Sequence, residues 1–498
     1  MRRVIGSLTF EHRRRASRRQ SPKDRSTPMR PRRLHFWIFL ATVSLAPLPL
    51  GANRPLAWTA LAMAMAVLSI LWPLAVLRER GAPSNGLGPL AIPGVAFLCV
   101  AGWAAAQTWL APPFVAWHPL WTDVAALLSV APKTVGRLGL APSAAAEGLV
   151  RLSCYALTFW LAYQHAASGR RADALVDGLA VVAALYALYG LAAFNADPPM
   201  VLWMEKWAYR DNLTSTFVNR NSYATYAGLG LLAASAAVVR RLEGGGRRSR
   251  LLRHLARPTL FYLLTAIPVI AALVATGSRG GMAAAAVGMA VFAYGLLSPR
   301  WGWPRRAMAG AALAGAVVLA FLVFLDHGAT HPASEAADRL RVYVVTAGLI
   351  AESPWTGYGL GSFPDVFAMA RPASISQVWL QAHNLYLELA MELGIPAALG
   401  LLSAIAWVFA ACLRAAFRHR GRRVHVSLGC AATALVAVHS LVDFSMQIPA
   451  VAITWAAIAG TAMGCAARHV RGVSTGAGGL ERRVSVDEAA PMGVGTAT

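Results

Sequence analysis

Three short stretches place charged or hydrogen-bonding side chains against long apolar runs. Arg220 lies in Ser215-Thr216-Phe217-Val218-Asn219-Arg220-Asn221, Arg279 in Gly277-Ser278-Arg279-Gly280-Gly281, and His383 in Ala382-His383-Asn384-Leu385-Tyr386-Leu387-Glu388. A charged side chain at mid-bilayer costs roughly 2.5–3.5 kcal/mol even on permissive scales, so such residues beside apolar runs carry information. Guanidinium groups grip phosphate oxygens through paired hydrogen bonds and stay charged at any relevant pH. Two of them at one interface suit a lipid diphosphate headgroup. A histidine beside them can take a proton from an attacking hydroxyl, because imidazole titrates near neutrality. Each residue also has a structural reading: an interfacial arginine anchors lipid phosphate, and a lone histidine caps a helix start. Arg151, inside an apolar run, snorkels or pairs with a helix neighbour. His439 and Asp443, one turn apart, read as a structural ion pair.

Absent motifs narrow the chemistry. The sequence has no Asp-x-Asp pair, which disfavours a metal-dependent sugar-nucleotide transferase. It has no H-E-x-x-H or Walker signature either. No metal site is expected, because cationic side chains can stabilise a departing diphosphate. Gly357, Gly359 and Gly361 mark tight turns; no Lys-Ser/Thr follows them, so they are not a nucleotide loop. The five cysteines (Cys99, Cys154, Cys412, Cys430 and Cys465) show no ligand spacing and read as small apolar core residues.

The elements that must hold these side chains follow from composition. Of 498 residues, 57% are hydrophobic and 14% charged, with a mean hydropathy of +0.50. Apolar runs near spanning length recur at 34–50, 56–77, 89–110, 149–167, 174–195, 221–239, 258–276, 281–298, 307–325, 384–413, 427–447 and 449–467. The expected fold is therefore all-α: a polytopic membrane bundle of about twelve transmembrane helices. A large periplasmic loop carries short helices.

A net charge of +24 with a pI near 11.0 would point to nucleic acid in a soluble protein. Here the basic residues cluster in short segments between apolar runs, as in cytoplasmic loops facing anionic lipid, so membrane lipids and not nucleic acid are the expected partners. With the N-terminus inside, cytoplasmic segments hold about 35 of the 46 Lys and Arg residues and periplasmic ones about 10. The clusters Arg78/Arg80, Arg170/Arg171, Arg240–Arg257, Arg300–Arg306 and Arg414–Arg423 then share one side. The chain reads as a basic arm over 1–33 leading into a signal-anchor helix, a membrane domain over 34–467, and a disordered cytoplasmic tail over 468–498. Periplasmic segments fall at 111–148, 196–220 and 326–383. In the last, Leu340, Tyr343, Val344 and Ala347 recur at helical spacing over Ala337–Glu352, as in an amphipathic surface helix. Topology thus places Arg220, Arg279 and His383 at the periplasmic boundary of an inner-membrane protein.

In order along the chain, "STFVNRNSYA", "ATGSRGG", "RLRVYVVTAGLIAESPWTGYGLGSF" and "AHNLYLELAMELGIPAALG" resemble the O-antigen ligase/polymerase superfamily of GT-C-like membrane glycosyltransferases. The resemblance covers about 200–450, with "HSLVDFSMQIP" as a weaker final element. Residues 34–200 match in hydropathy and in the Trp121-containing loop. It implies an undecaprenyl-diphosphate-linked glycan donor and a lipid A core or growing polysaccharide acceptor, with no cofactor. Arg220 and Arg279 become diphosphate contacts, Arg339 and Arg341 further contacts, and His383 the base or acceptor-orienting group. Asn219, Asn221, Asn384 and Glu388 would support them. Ser215 stands where the family commonly has Gly, and Ser222 where His is frequent, which touches the acceptor more than the donor.

The implied reaction is metal-independent and inverting. Ligase, polymerase and protein-directed transferase remain open, and a multispanning polysaccharide transporter or flippase is the rival class. Transporters usually show paired repeats and polar groups at mid-membrane, whereas here the distinctive residues sit at one interface. Reporter fusions after Arg80, Arg171, Arg257, Arg306 and Arg423 should all report cytoplasm, and fusions near residues 130, 205 and 350 periplasm. A cytoplasmic signal at 350 would remove the proposed chemistry from its compartment.

Overall fold

The computed structural model describes residues 31–79, 84–110, 117–129, 136–243, 257–330, 335–418 and 422–467. The basic arm before residue 31, the tail after 467 and residues 244–256 of the Arg240–Arg257 cluster lie outside the described residues. Helices occupy every expected apolar run: α1 Pro31–Leu45, α2 Pro55–Arg78, α3 Ala91–Trp109, α4 Leu120–Leu127, α5 Pro142–His165 and α6 Gly169–Phe194. A two-stranded antiparallel ribbon follows, Met200–Val201 with Met204–Glu205. Then come α7 Arg220–Glu243, α8 Arg257–Ala275, α9 Arg279–Leu297, α10 Trp303–Thr330, α11 Glu335–Glu352, α12 Phe363–Ala370, α13 Leu385–Leu393, α14 Ile395–Arg418 and α15 Arg423–His439. The last, α16, is Pro449–Ala467. Among the described residues nine helices are long and apolar enough to cross a membrane. The protein is an all-α polytopic membrane bundle.

Two helices form its centre. The spanning window of α16 is 94% buried and that of α7 78%, whereas α10 has none of its window buried. Small residues permit this closeness, as in other membrane bundles. On α16, Gly460 and Gly464 lie directly against the backbone carbonyls of Phe159 and Tyr163 on α5, where a Cβ would overlap. Four cysteines are buried as expected, but Cys99 is exposed, because it lies on the outer face of α3, whose span is only 17% buried.

Ion pairs tie the helices together at one end of the bundle. There Arg240 and Arg241 of α7 pair with Asp173 and Asp177 of α6, at 2.8 Å for Arg240–Asp173 and 3.0 Å for Arg241–Asp177. His425 of α15 lies 3.0 Å from Asp173. The start of α7 and the end of α15 therefore meet at the other end. Within the bundle, Arg151 pairs with Glu147 at 3.3 Å and covers the Trp58 ring at 4.8 Å, the helix-neighbour pairing expected for it.

Two expectations about the large loop and its neighbour change. The run expected over 384–413 is broken into α13 and α14 at Gly394, whose φ is +80°. Gly394 and Gly357 sit back to back on the Trp355 and Glu392 carbonyls, with no room for a Cβ at either. The positive φ values at Gly357, Gly359 and Gly361 confirm the turns. Through them Tyr358 and Gly359 donate to the carbonyls of Met391 and Glu392 at 3.0 and 2.8 Å. The loop also has its own core of Val342, Leu349, Phe363, Val366, Phe367 and Met391. That core selects the buried face of α11. Val342, Tyr343, Thr346 and Leu349 turn inward, while Val344, expected on the apolar face, is 70% exposed.

Candidate functional site

The site forms where the start of α7, the turn before α9, the first half of α11, the start of α13 and the end of α15 converge. Each element begins there for a local reason. The Asn219 side chain accepts from the Asn221 and Ser222 amides at 2.7 and 3.3 Å and so opens α7. Ser278 caps α9, accepting from the Gly281 amide at 3.2 Å. Asn384 caps α13, accepting from Tyr386 and Leu387 at 3.1 and 3.2 Å. These are the side-chain types that satisfy orphan helix amides.

At the middle lies Asp443, whose side chain has no exposed surface. Its Oδ1 accepts from Asn221 Nδ2 at 3.0 Å, and Ser445 donates to Oδ2. His383 Nδ1 stands 3.7 Å from Oδ1, beyond hydrogen-bond length but within reach of a charge pair. Burial alone would raise the carboxyl; the His383 and His439 imidazoles and the Ser445 hydroxyl hold it down at about 2. Asn221 also accepts from Ser278 at 2.8 Å, so one amide joins the α7, α9 and post-α15 segments. His439 bonds Thr225 at 2.6 Å instead of pairing with Asp443. The expected His439–Asp443 ion pair is absent among the described residues, because α15 ends at His439 and Asp443 is no longer one helical turn away.

His383 is held against strain. Its φ is +53°, a region that costs a non-glycine residue about 1–3 kcal/mol. The Tyr343 hydroxyl donates to its carbonyl at 2.9 Å, and its ring packs edge-on to Phe444 at 4.8 Å and Trp379 at 5.3 Å. Behind it Glu388 accepts from the Ala382 amide at 2.8 Å and from Gln447 at 2.6 Å; burial raises its carboxyl.

The arginines are placed unequally. Arg220 donates to Asn212 at 3.0 Å, lies 3.3 Å from Glu335 and faces the Tyr209 ring at 5.7 Å. Arg339 donates to the Val442 carbonyl at 2.7 Å and lies 4.0 Å from the same Glu335. The Glu335 carboxylate thus sits between two guanidinium groups, beside the Asp443 segment. Arg279 is exposed; in its turn, Gly277 borders Arg220 and Gly280 borders His439. Arg341, two residues beyond Arg339 and so on the opposite side of α11, pairs with Asp338 at 2.7 Å. The cluster therefore brings together Arg220, Arg339, His383, Asn219, Asn221, Asn384 and Glu388, with Arg279 at its rim and Arg341 turned away.

Several members were not read as site residues from sequence: Glu335, Tyr209, Asn212 and Tyr343, the last expected only on the apolar face of its helix. Lys206 organises the segment bearing two of them, donating to the Tyr209 carbonyl at 2.9 Å. Only Asp443 left a signal, as an acid beside a buried run. Ser215 has φ +50°, which explains why glycine suits that position; its hydroxyl donates to the Tyr186 carbonyl at 2.7 Å.

The O-antigen ligase family model matches residues 264–402. No curated protein matches the chain. The matched segment runs from α8 into α14 and supports the resemblance to the O-antigen ligase superfamily. Two motifs outside it, at 215–224 and 439–449, pack onto it through Asn221–Ser278 and Arg339–Val442.

Asn221→Ala should strand the Asp443 carboxylate and the Ser278 hydroxyl, at about 1–3 kcal/mol for each buried group left unpaired. The purified protein should unfold at a measurably lower temperature. An unchanged midpoint would mean that the network does not hold these segments together.

Proposed function

We propose that this chain is a membrane glycosyltransferase of the O-antigen ligase/polymerase type. It moves a glycan from an undecaprenyl-diphosphate carrier to an acceptor hydroxyl at the periplasmic face, as in O-antigen ligation to lipid A core. The observation that carries the reading is the convergence of Arg220 and Arg339 on one anionic position, beside a histidine backed by a buried carboxylate.

The diphosphate takes the position now filled by the Glu335 carboxylate, between Arg220 and Arg339, with Arg279 reaching in from the rim. Arg341 has no part, since it faces away. With Nδ1 facing Asp443 across 3.7 Å, His383 offers Nε2 as the proton acceptor. The acceptor hydroxyl attacks the anomeric carbon in line and passes its proton to Nε2. The new C–O bond forms as the bond to the diphosphate breaks, with inversion, and the leaving electron pair goes to the diphosphate. Preorganised guanidinium groups stabilise that charge without a metal. Asp443 acts through His383, stabilising the imidazolium that forms.

In a transfer assay with purified protein and lipid-linked donor, Arg220→Lys and Arg279→Lys keep the charge but lose the planar fork. Donor binding should weaken roughly ten- to a hundredfold, the equivalent of one charge-assisted hydrogen bond. His383→Ala should bind donor normally yet turn over about two to four orders of magnitude more slowly. A well-expressed, active His383→Ala would refute its role as base. Active Arg220→Ala and Arg279→Ala would reduce both residues to lipid anchors.

The same assay should continue unimpaired in excess chelator. Activity lost to chelator and restored by magnesium or manganese would disprove metal independence.

A further inference from the structure

α11 links the site to a second concavity. Beyond Tyr343 the helix continues to Leu349 and Glu352, which border an open groove of about 690 Å³, within the range of small-molecule and saccharide sites. The 117–120 segment and Leu138 form one wall, and α12 another through Val366 and Met369. Glu352 lies thirteen positions beyond Arg339, so it stands about 20 Å along the helix from that arginine. That distance is several sugar rings long.

The lining has a definite chemistry. Trp117, His118 and Tyr358 supply ring faces, and Glu352, Ser353 and Thr356 supply polar groups. His118 and Tyr358 lie with centroids 5.4 Å apart. Tyr358 donates to Glu352 Oε2 at 3.0 Å, and the Ser353 and Thr356 hydroxyls are 2.9 Å apart. Trp117 is fixed against Gly136, where a Cβ would fall 2.6 Å from the ring. Among the described lining residues there is no lysine or arginine, and the carboxylate present, Glu352, disfavours a phosphate. Flat apolar faces beside hydroxyls and one carboxylate match the alternating C–H faces and hydroxyl edges of pyranose rings.

We infer that this groove binds an oligosaccharide, holding uncharged or amino sugars of the glycan several residues from the point of transfer. The inference rests on the glycan-transfer reading above and assigns that reading a second contact. The chain held there belongs either to the donor glycan or to the acceptor, and the chemistry is the same for both.

The test uses full-length protein in lipid nanodiscs and two lipid-free probes. These are the polysaccharide and the core oligosaccharide released from host lipopolysaccharide by mild acid, with binding followed calorimetrically. Wild type and His383→Ala should bind one probe alike, and the probe bound identifies the source. Trp117→Ala should weaken binding about tenfold, the scale of one stacking contact. Trp117→Phe should recover most of the loss, and Glu352→Gln, which keeps the shape, should weaken binding about threefold. Equal binding by Trp117→Ala and Glu352→Gln, or no binding of either probe by wild type, would overturn the inference. Trp117-dependent binding by a wild-type protein that shows no transfer would instead remove the transferase reading and leave the groove.

Discussion

A carboxylate with no exposed surface is tolerated only when every lone pair is met, since an unpaired buried charge costs several kcal/mol. Asp443 imposes that condition on everything around it. Asn221 must reach it from α7, Ser445 must fold back from beyond α15, and His383 must face it from the start of α13. Because Asn221 is also bonded to Ser278, the turn before α9 is drawn into the same arrangement. Helix starts far apart in sequence are thereby fixed at one level of the bundle. The neighbouring imidazoles and the Ser445 hydroxyl favour the ionised carboxyl against the cost of burial, which keeps this organising charge in place.

The large loop holds its side of the arrangement by different means. Its glycine turns bring backbone against backbone, so that Tyr358 and Gly359 pair with the end of α13. Aromatic and aliphatic side chains from α11 and α12 then close a small core outside the bundle. This core orients α11, and one helix consequently bears Arg339 and Tyr343 toward the His383 site while Glu352 lies at the groove. Under the proposed function this one helix would register a long glycan against the reacting centre.

Glu335 gives the anionic position its character. It is 75% exposed, yet it lies between Arg220 and Arg339. Such an exposed carboxylate contributes little to stability. The guanidinium groups themselves are restrained, Arg220 by Asn212 and Arg339 by the Val442 carbonyl. Preorganised donors facing an exposed anion fit the proposed electrostatic stabilisation of a departing diphosphate.

Much of this was legible in the sequence. Apolar run length fixed where the helices lie, because hydrocarbon thickness sets a near-constant span. The glycine turns and the location of Arg220 and His383 beside helix starts followed from local chemistry, whereas the caps fall on Ser278 and Asn384 and not on His383. Other features depended on contacts across hundreds of residues. No local pattern distinguishes Asp443 as the partner of Asn221, 222 positions away, and the one-turn spacing to His439 pointed to the wrong pair. The buried face of α11 was misjudged because its packing against the loop core, and not its own periodicity, decides which side turns inward. Arg339 and Arg341 were equivalent as sequence; helix phase alone turned one to the site and the other to Asp338. Glu335 and the groove at Trp117 exist only once separate segments meet, since a position between two arginines or between two walls is a property of the folded chain.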